Sequence, residues 1–366
     1  MPTKPRHRSP ESEHGRRTVI ALLCSILIAS LTSVSAHWGH GPWKGDSIWV
    51  VNRDQGTLTV FDADTGKVLA PSPITVGAGV HDLVVSHQTR KAFVTNDADS
   101  VFVLSASTLD VLDTIQFGAG TRPHHVELSP DGRTVYVGLF GTNRIAAIDA
   151  RTHEVREYIS SSQSGPMAHA PHPSPDGRFI FVPHEMGNLI TKLSTRTGRI
   201  LRSLSPGDTS GGQPSEVLST RDGELLYVSM RNEGKVKTVD VDSFVVTGEV
   251  SLGAVDLQPE SLILTRDERT LIVTLRGKPP ARLALVNTRN LALRGTVDIG
   301  GAGTFGDLAV DSPDGRYVYA TVDAGANGQG GVARVDLDRG KVETWLYPGI
   351  GRPHGIAYST ESLRID

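Results

Sequence analysis

Imidazole and carboxylate side chains return at one fixed place in a repeating sequence, and that recurrence is the strongest chemical signal in the chain. Each repeat carries a Ser or Thr (Ser86, Ser129, Ser174, Thr220, Thr265, Ser312, Ser359), and the residues five positions before it are His81, His124, His169, Ser215, Glu260, Asp307 and His354. Asp82, His125, His172 and Glu216 lie beside this position, and His184, Arg231, Arg276 and Asp323 end the following segment. Neutral imidazoles mixed with carboxylates form the ligand set of zinc, copper, nickel or iron. His81, His124, His169, His354 and His184 are therefore candidate metal ligands. His125, His172 and Asp307 are candidate ligand-binding groups. In a metal-dependent oxidase or lyase, Glu260 or Glu216 would be the general base beside the metal.

Two other chemistries fit the same residues. The imidazoles can simply hydrogen-bond neighbouring backbone inside a solvated channel, or the site can take an anion. Arg122 and Arg352, each in Arg-Pro-His, offer planar forks for a carboxylate or phosphate, or pair with Glu216, Glu260 or Asp307. A ring of seven such positions is expected to be about 14 Å across, judged from strand and sheet spacings, too wide for all members to meet one ion. No Gly-x-Ser-x-Gly, Walker loop, His-Glu-x-x-His or Cys-x-x-Cys pattern is present.

These residues need an element that brings one position of every repeat to a common point. The period is roughly 43 to 47 residues, and each unit holds short β-rich runs separated by Gly, Asp or Asn turns. One unit reads Arg122-Pro-His-His-Val-Glu-Leu-Ser-Pro-Asp-Gly132, Thr134–Gly138, Asn143–Asp149 and Glu154–Ile159. Four strands at this period are the signature of propeller blades. The first unit, from Ile48, lacks an innermost strand, and Arg352–Ser359 is an innermost strand with nothing after it. The chain is thus expected to be an all-β, seven-bladed β-propeller whose first blade is closed by the C-terminal strand, leaving no open edge. In such a ring the first strand of each blade lines the central channel.

Lys91-Ala-Phe-Val-Thr-Asn96 with Ser100–Leu104, and Arg133–Val137 with Ile148-Asp149, resemble the YVTN-type bacterial β-propeller repeats. The resemblance covers about residues 46–359. It implies the fold, in the wider company of nitrous-oxide reductase, haem d1 and streptogramin-lyase propellers, but no single activity, since one fold hosts many functions.

Residues 1–17 hold five bases, Lys4, Arg6, Arg8, Arg16 and Arg17, against Glu11 and Glu13, so the net charge of −3 becomes −6 beyond them. An apolar run follows from Thr18 to Leu31, then small residues to Ala36. This reads as a signal peptide over 1–36, with a lead-in at 37–45 and the propeller at 46–366. The one cysteine, Cys24, leaves with the signal, so the mature chain has no thiolate ligand or disulfide. Cleavage there exposes His37, whose amine and imidazole could bind copper with His40. A mildly acidic body without basic clusters excludes a nucleic-acid partner.

The expected protein is extracytoplasmic, a monomer, and touches the membrane only through its signal. It presents a His- and acid-rich channel mouth to a small ligand, a cofactor or a protein partner. The cofactor expected is copper, zinc or iron; haem, with one histidine as axial ligand, is a further reading.

Overall fold

The computed structural model describes residues 45–69, 73–161, 167–324, 329–348 and 350–363. The signal segment 1–36, most of the lead-in with His37 and His40, and part of the Gly-rich 325–331 loop lie outside them. The described chain forms seven four-stranded antiparallel sheets arranged as the blades of a propeller. The first blade joins both ends of the ring: β1 (Ser47–Asn52) pairs on one side with β2 (Thr57–Asp62) and on the other with the last strand, β28 (Pro353–Ser359). Among the described residues no helix is long and apolar enough to cross a membrane.

The repeated Ser-Pro-Asp-Gly turn follows from its side chains. In blade 3, Ser129 Oγ donates to Asp131 Oδ1 at 2.6 Å and accepts from Thr134 N at 2.9 Å. Asp131 also accepts from Arg133 N. Ser174, Thr220, Thr265 and Ser312 bond the Asp two places on in the same way. Each turn so fixed delivers the next strand in register. The faces between blades bury alternating apolar residues, with Trp49, Phe61, Phe93, Phe181 and Tyr319 among the largest.

One backbone device recurs where the channel narrows. In six of the seven innermost strands the pairing with the second strand slips, for example between Val80 and Leu83, Pro123 and Val126, and Pro259 and Leu262. Such a bulge turns two successive residues toward the channel and leaves an amide out of the ladder. Hydroxyls of the second strand take up that amide: Thr95 Oγ1 accepts from Asp82 N, Ser229 Oγ from Glu216 N, Thr274 Oγ1 from Ser261 N and Thr321 Oγ1 from Leu308 N, at 2.9–3.1 Å.

A buried histidine cluster in the channel

The bulges stack two rings of side chains in the channel. The first ring holds His354, His81, His124 and His169 on consecutive blades, then Ser215, Glu260 and Asp307. The second holds Asp82, His125, Glu216 and Ser261, and at blade 1 only Gly355. Its missing side chain matters, because a Cβ at Gly355 would stand 2.4 Å from Asp82 Cα. Strand β4 (Val80–Ser86) and the last strand can therefore approach closely, and His81 and His354 meet with ring centroids 4.0 Å apart.

Five imidazoles touch. His81 lies 3.6 Å from His124 and 5.0 Å from His125, measured between centroids; His125 lies 4.3 Å from His169 and 5.6 Å from His354. All five are buried. The wide opening expected from sheet spacing is thus a plugged neck, and the histidines lie inside it rather than at its mouth. Ligand atoms of His81, His125 and His354 fall within 4.8 Å of one another, as do those of His124, His125 and His169, and of His81, Asp97 and His124. His125 is common to the two all-imidazole sets.

The hydrogen bonds fix tautomers. His125 Nδ1 is 3.0 Å from Asp82 Oδ2, and His169 Nδ1 is 2.6 Å from the Ser215 carbonyl. Both partners only accept, so each Nδ1 carries the proton and each Nε2 keeps a lone pair. The Nε2 atoms of His124 and His354 face Asp97 at 3.8 Å and Asp307 at 3.4 Å, and that of His169 faces Glu185 at 3.5 Å. The Nδ1 atoms of His81, His124 and His354 are buried without a hydrogen-bond partner, at a cost of about 1–3 kcal/mol for each such group. Burial, and then the neighbouring imidazoles, hold His81 and His124 well below the usual histidine range. His169 and His354 are held down in the same way. Burial thus favours the neutral form of these four imidazoles.

Above the first ring, the residues that end each second strand close the neck: Arg53, Asp97, Phe140, Glu185, Arg231, Arg276 and Asp323. Arg231 binds Glu185 and makes a forked pair with Glu260, which is buried. Burial raises Glu260, but Arg231 and Arg276 outweigh it and hold the carboxyl below its usual value. Tied to two arginines, Glu260 is a poor base. Burial pushes Asp307 up to about 6 against the pull of Arg276. Burial, then Glu260 and Glu127, push Glu216 well above the usual carboxyl range.

The other candidates lie elsewhere. His184 is one residue short of the closing ring and, strands alternating sides, points between blades. Its Nε2 is 3.1 Å from Thr191 Oγ1, and it belongs to none of the imidazole sets; Glu185 takes the place the sequence reading gave it. His172 sits deeper, between Glu127 at 3.0 Å and Ser219. Arg122 and Arg352 stand half-exposed on the rim, facing Asp97 at 3.8 Å and Asp54 at 3.7 Å; neither pairs with Glu216, Glu260 or Asp307. Arg122 also stacks over Phe140. Arg53, Asp97, Phe140 and Glu185 were missed, although the same register that marks Arg231 and Arg276 marks them.

Residues 43–303 match the family described as "Lactonase, 7-bladed beta-propeller". The chain belongs to that family. It is 31% identical over 151 residues to the seven-bladed beta-propeller protein Rv1057 of Mycobacterium tuberculosis, a match covering 40% of this chain and 36% of that protein. It is 30% identical over 112 residues to Protein NirF of Pseudomonas aeruginosa, 29% of each chain. These matches span only about a third of the curated relatives' own lengths. The periplasmic gluconolactonase PpgL of Pseudomonas aeruginosa superposes with a TM-score of 0.65 at 20% identity, over 86% of this chain and 98% of that one. At that identity the likeness concerns the fold alone.

Proposed function

We propose that this protein is an extracytoplasmic propeller that binds a transition-metal ion, copper or zinc, among His81, His124, His125, His169 and His354. The observation that carries this reading is the set of five touching, buried imidazoles, three of them with an Nδ1 that has no hydrogen-bond partner, around a His125 oriented by Asp82. A carboxylate behind the ring is the usual outer partner of a metal-bound histidine. Nitrogen donors without thiolate suit copper and zinc, and the Nε2 of His125 can serve one ion at a time, so one ion per chain is expected. The leader-like residues 1–36, and the periplasmic location in the name of PpgL, support export.

A second reading, a metal-dependent hydrolase acting on a lactone, is favoured by a cavity that reaches His125 past Glu216. The Glu216 carboxyl, kept protonated by burial, would supply the proton to a leaving alkoxide. Elemental analysis of the exported protein tests the first reading: about one copper or zinc per chain is expected, with loss in His125→Ala. Protein that stays metal-free on titration refutes it. Ring opening of gluconolactone, followed by acid release and compared with His125→Ala, tests the second.

A further inference from the structure

The two ends of the channel differ in how their charges are used. The end closed by the second-strand termini carries Arg53, Arg231 and Arg276 paired with acids, and a small cavity of about 130 Å³ there is walled by Arg53, Arg276 and Arg352 with Asp307 and Asp323 beside His354. From the other end a cavity of about 390 Å³ runs inward to His125. Its carboxylates are Asp82, Glu127, Glu268 and Asp311, beside a Glu216 that burial keeps protonated, and its one arginine is Arg221. Arg221 is already engaged, its backbone N donating to Glu268 at 2.8 Å and its Nη1 to the Arg266 carbonyl. Exposure falls along the way from Arg221 at the outside, through half-buried Glu127, Glu268 and Asp311, to buried Asp82 and His125.

We infer that a hydrated divalent transition-metal cation reaches the imidazole cluster through this acidic cavity, by way of Glu127 and Asp311, and not through the arginine-lined end. The inference rests on the metal-binding reading. A cleft lined by one sign of charge concentrates the opposite ion and speeds its arrival, by tenfold to a thousandfold in steered systems, and salt weakens the effect. At the other end Arg53, Arg231 and Arg276 are held in ion pairs with Asp97, Glu185, Glu260 and Asp307, which close the neck, and the cavity beside His354 is the smaller one, about 130 against 390 Å³. Glu127 and Asp311 face the path outside the set of ligands, so they govern the rate of arrival rather than the final occupancy.

The test is rapid mixing of metal-free protein with Co²⁺, followed by the absorbance of the bound ion. Glu127→Gln with Asp311→Asn is expected to slow uptake about tenfold at low salt and to flatten its salt dependence. The final absorbance should match the parent's, which also certifies the fold. An unchanged rate in this variant overturns the route, as does a parent rate that rises with salt. Parent protein that gains no cobalt absorbance sinks the metal reading, and the route with it.

Discussion

Asp82 of blade 2 accepts from His125 of blade 3 across the blade boundary, Oδ2 to Nδ1, at 3.0 Å. The same oxygen accepts from Val126 N at 3.2 Å, and Oδ1 takes Leu83 N. One carboxylate therefore sets both the bulge and the ring it orients. Asp82→Asn keeps the shape but weakens the acceptor and lets the ring turn. Metal affinity is expected to fall 10- to 100-fold by calorimetric titration, the usual effect of losing such a partner. Affinity within twofold of the parent would show that Asp82 does not orient the ligand.

The Arg231–Glu260 pair is a structural matter. Removing the guanidinium strands a buried carboxylate, and Arg231→Met is expected to cost about 3–5 kcal/mol in urea unfolding. Adding Glu260→Gln should return much of that loss. If the double variant is no more stable than the single one, the cost lies elsewhere.

Acid should unfold the protein from an unusually high pH. Burial pulls His184 down to about 4, whereas in the unfolded chain it titrates near 6.5. As pH falls below 6.5 the unfolded chain gains a proton that the fold refuses. Stability is complete above 6.5 and drains by about 1.4 kcal/mol per pH unit until about pH 4. The four depressed cluster histidines act in the same direction, while Glu216 and Asp307, being raised, oppose it. Melting temperature should drop from pH 6.5 to 5, and His184→Gln, which keeps a donor for Thr191, should make the slope shallower. A melting temperature level across that window contradicts the burial argument.

Gly355 is a packing requirement. With a methyl 2.4 Å from Asp82 Cα, Gly355→Ala must push two innermost strands apart, at a cost of about 1–3 kcal/mol. Because Asp82 moves with its strand, metal affinity should decline along with stability. A variant that loses stability but binds metal normally would separate the two.

Thr95→Val tests the hydroxyl that serves the bulge. It is nearly isosteric, but it orphans Asp82 N and the His124 carbonyl, to which Thr95 Oγ1 donates at 2.5 Å. A loss of about 1–3 kcal/mol is expected by chemical denaturation. A neutral result would mean that water replaces the hydroxyl.

Much of this architecture was legible because the Ser-Pro-Asp-Gly turns set a register that can be counted. That register put His81, His124, His169 and His354 on one level, and the unmatched strand at Arg352–Ser359 revealed the closure. The neck was not legible. Strict alternation sends His124 and His125 to opposite sides of a strand, so the bulge that turns both inward leaves no trace in spacing alone. The same rule explains His184 and Glu185: a second-strand end read one residue early selects the side facing the next blade. Nor does spacing reveal that Gly355 lets the strands close in until the rings touch.

Of the strands described, the one that carries His354 is synthesised after all the others, and it seals the circle by pairing with β1. A chain cut anywhere before Pro353 lacks both the seal and one of the proposed nitrogen donors. Loading of the ion would therefore report that the circle has shut, and the bound ion would in turn act as a rivet between the two ends of the polypeptide.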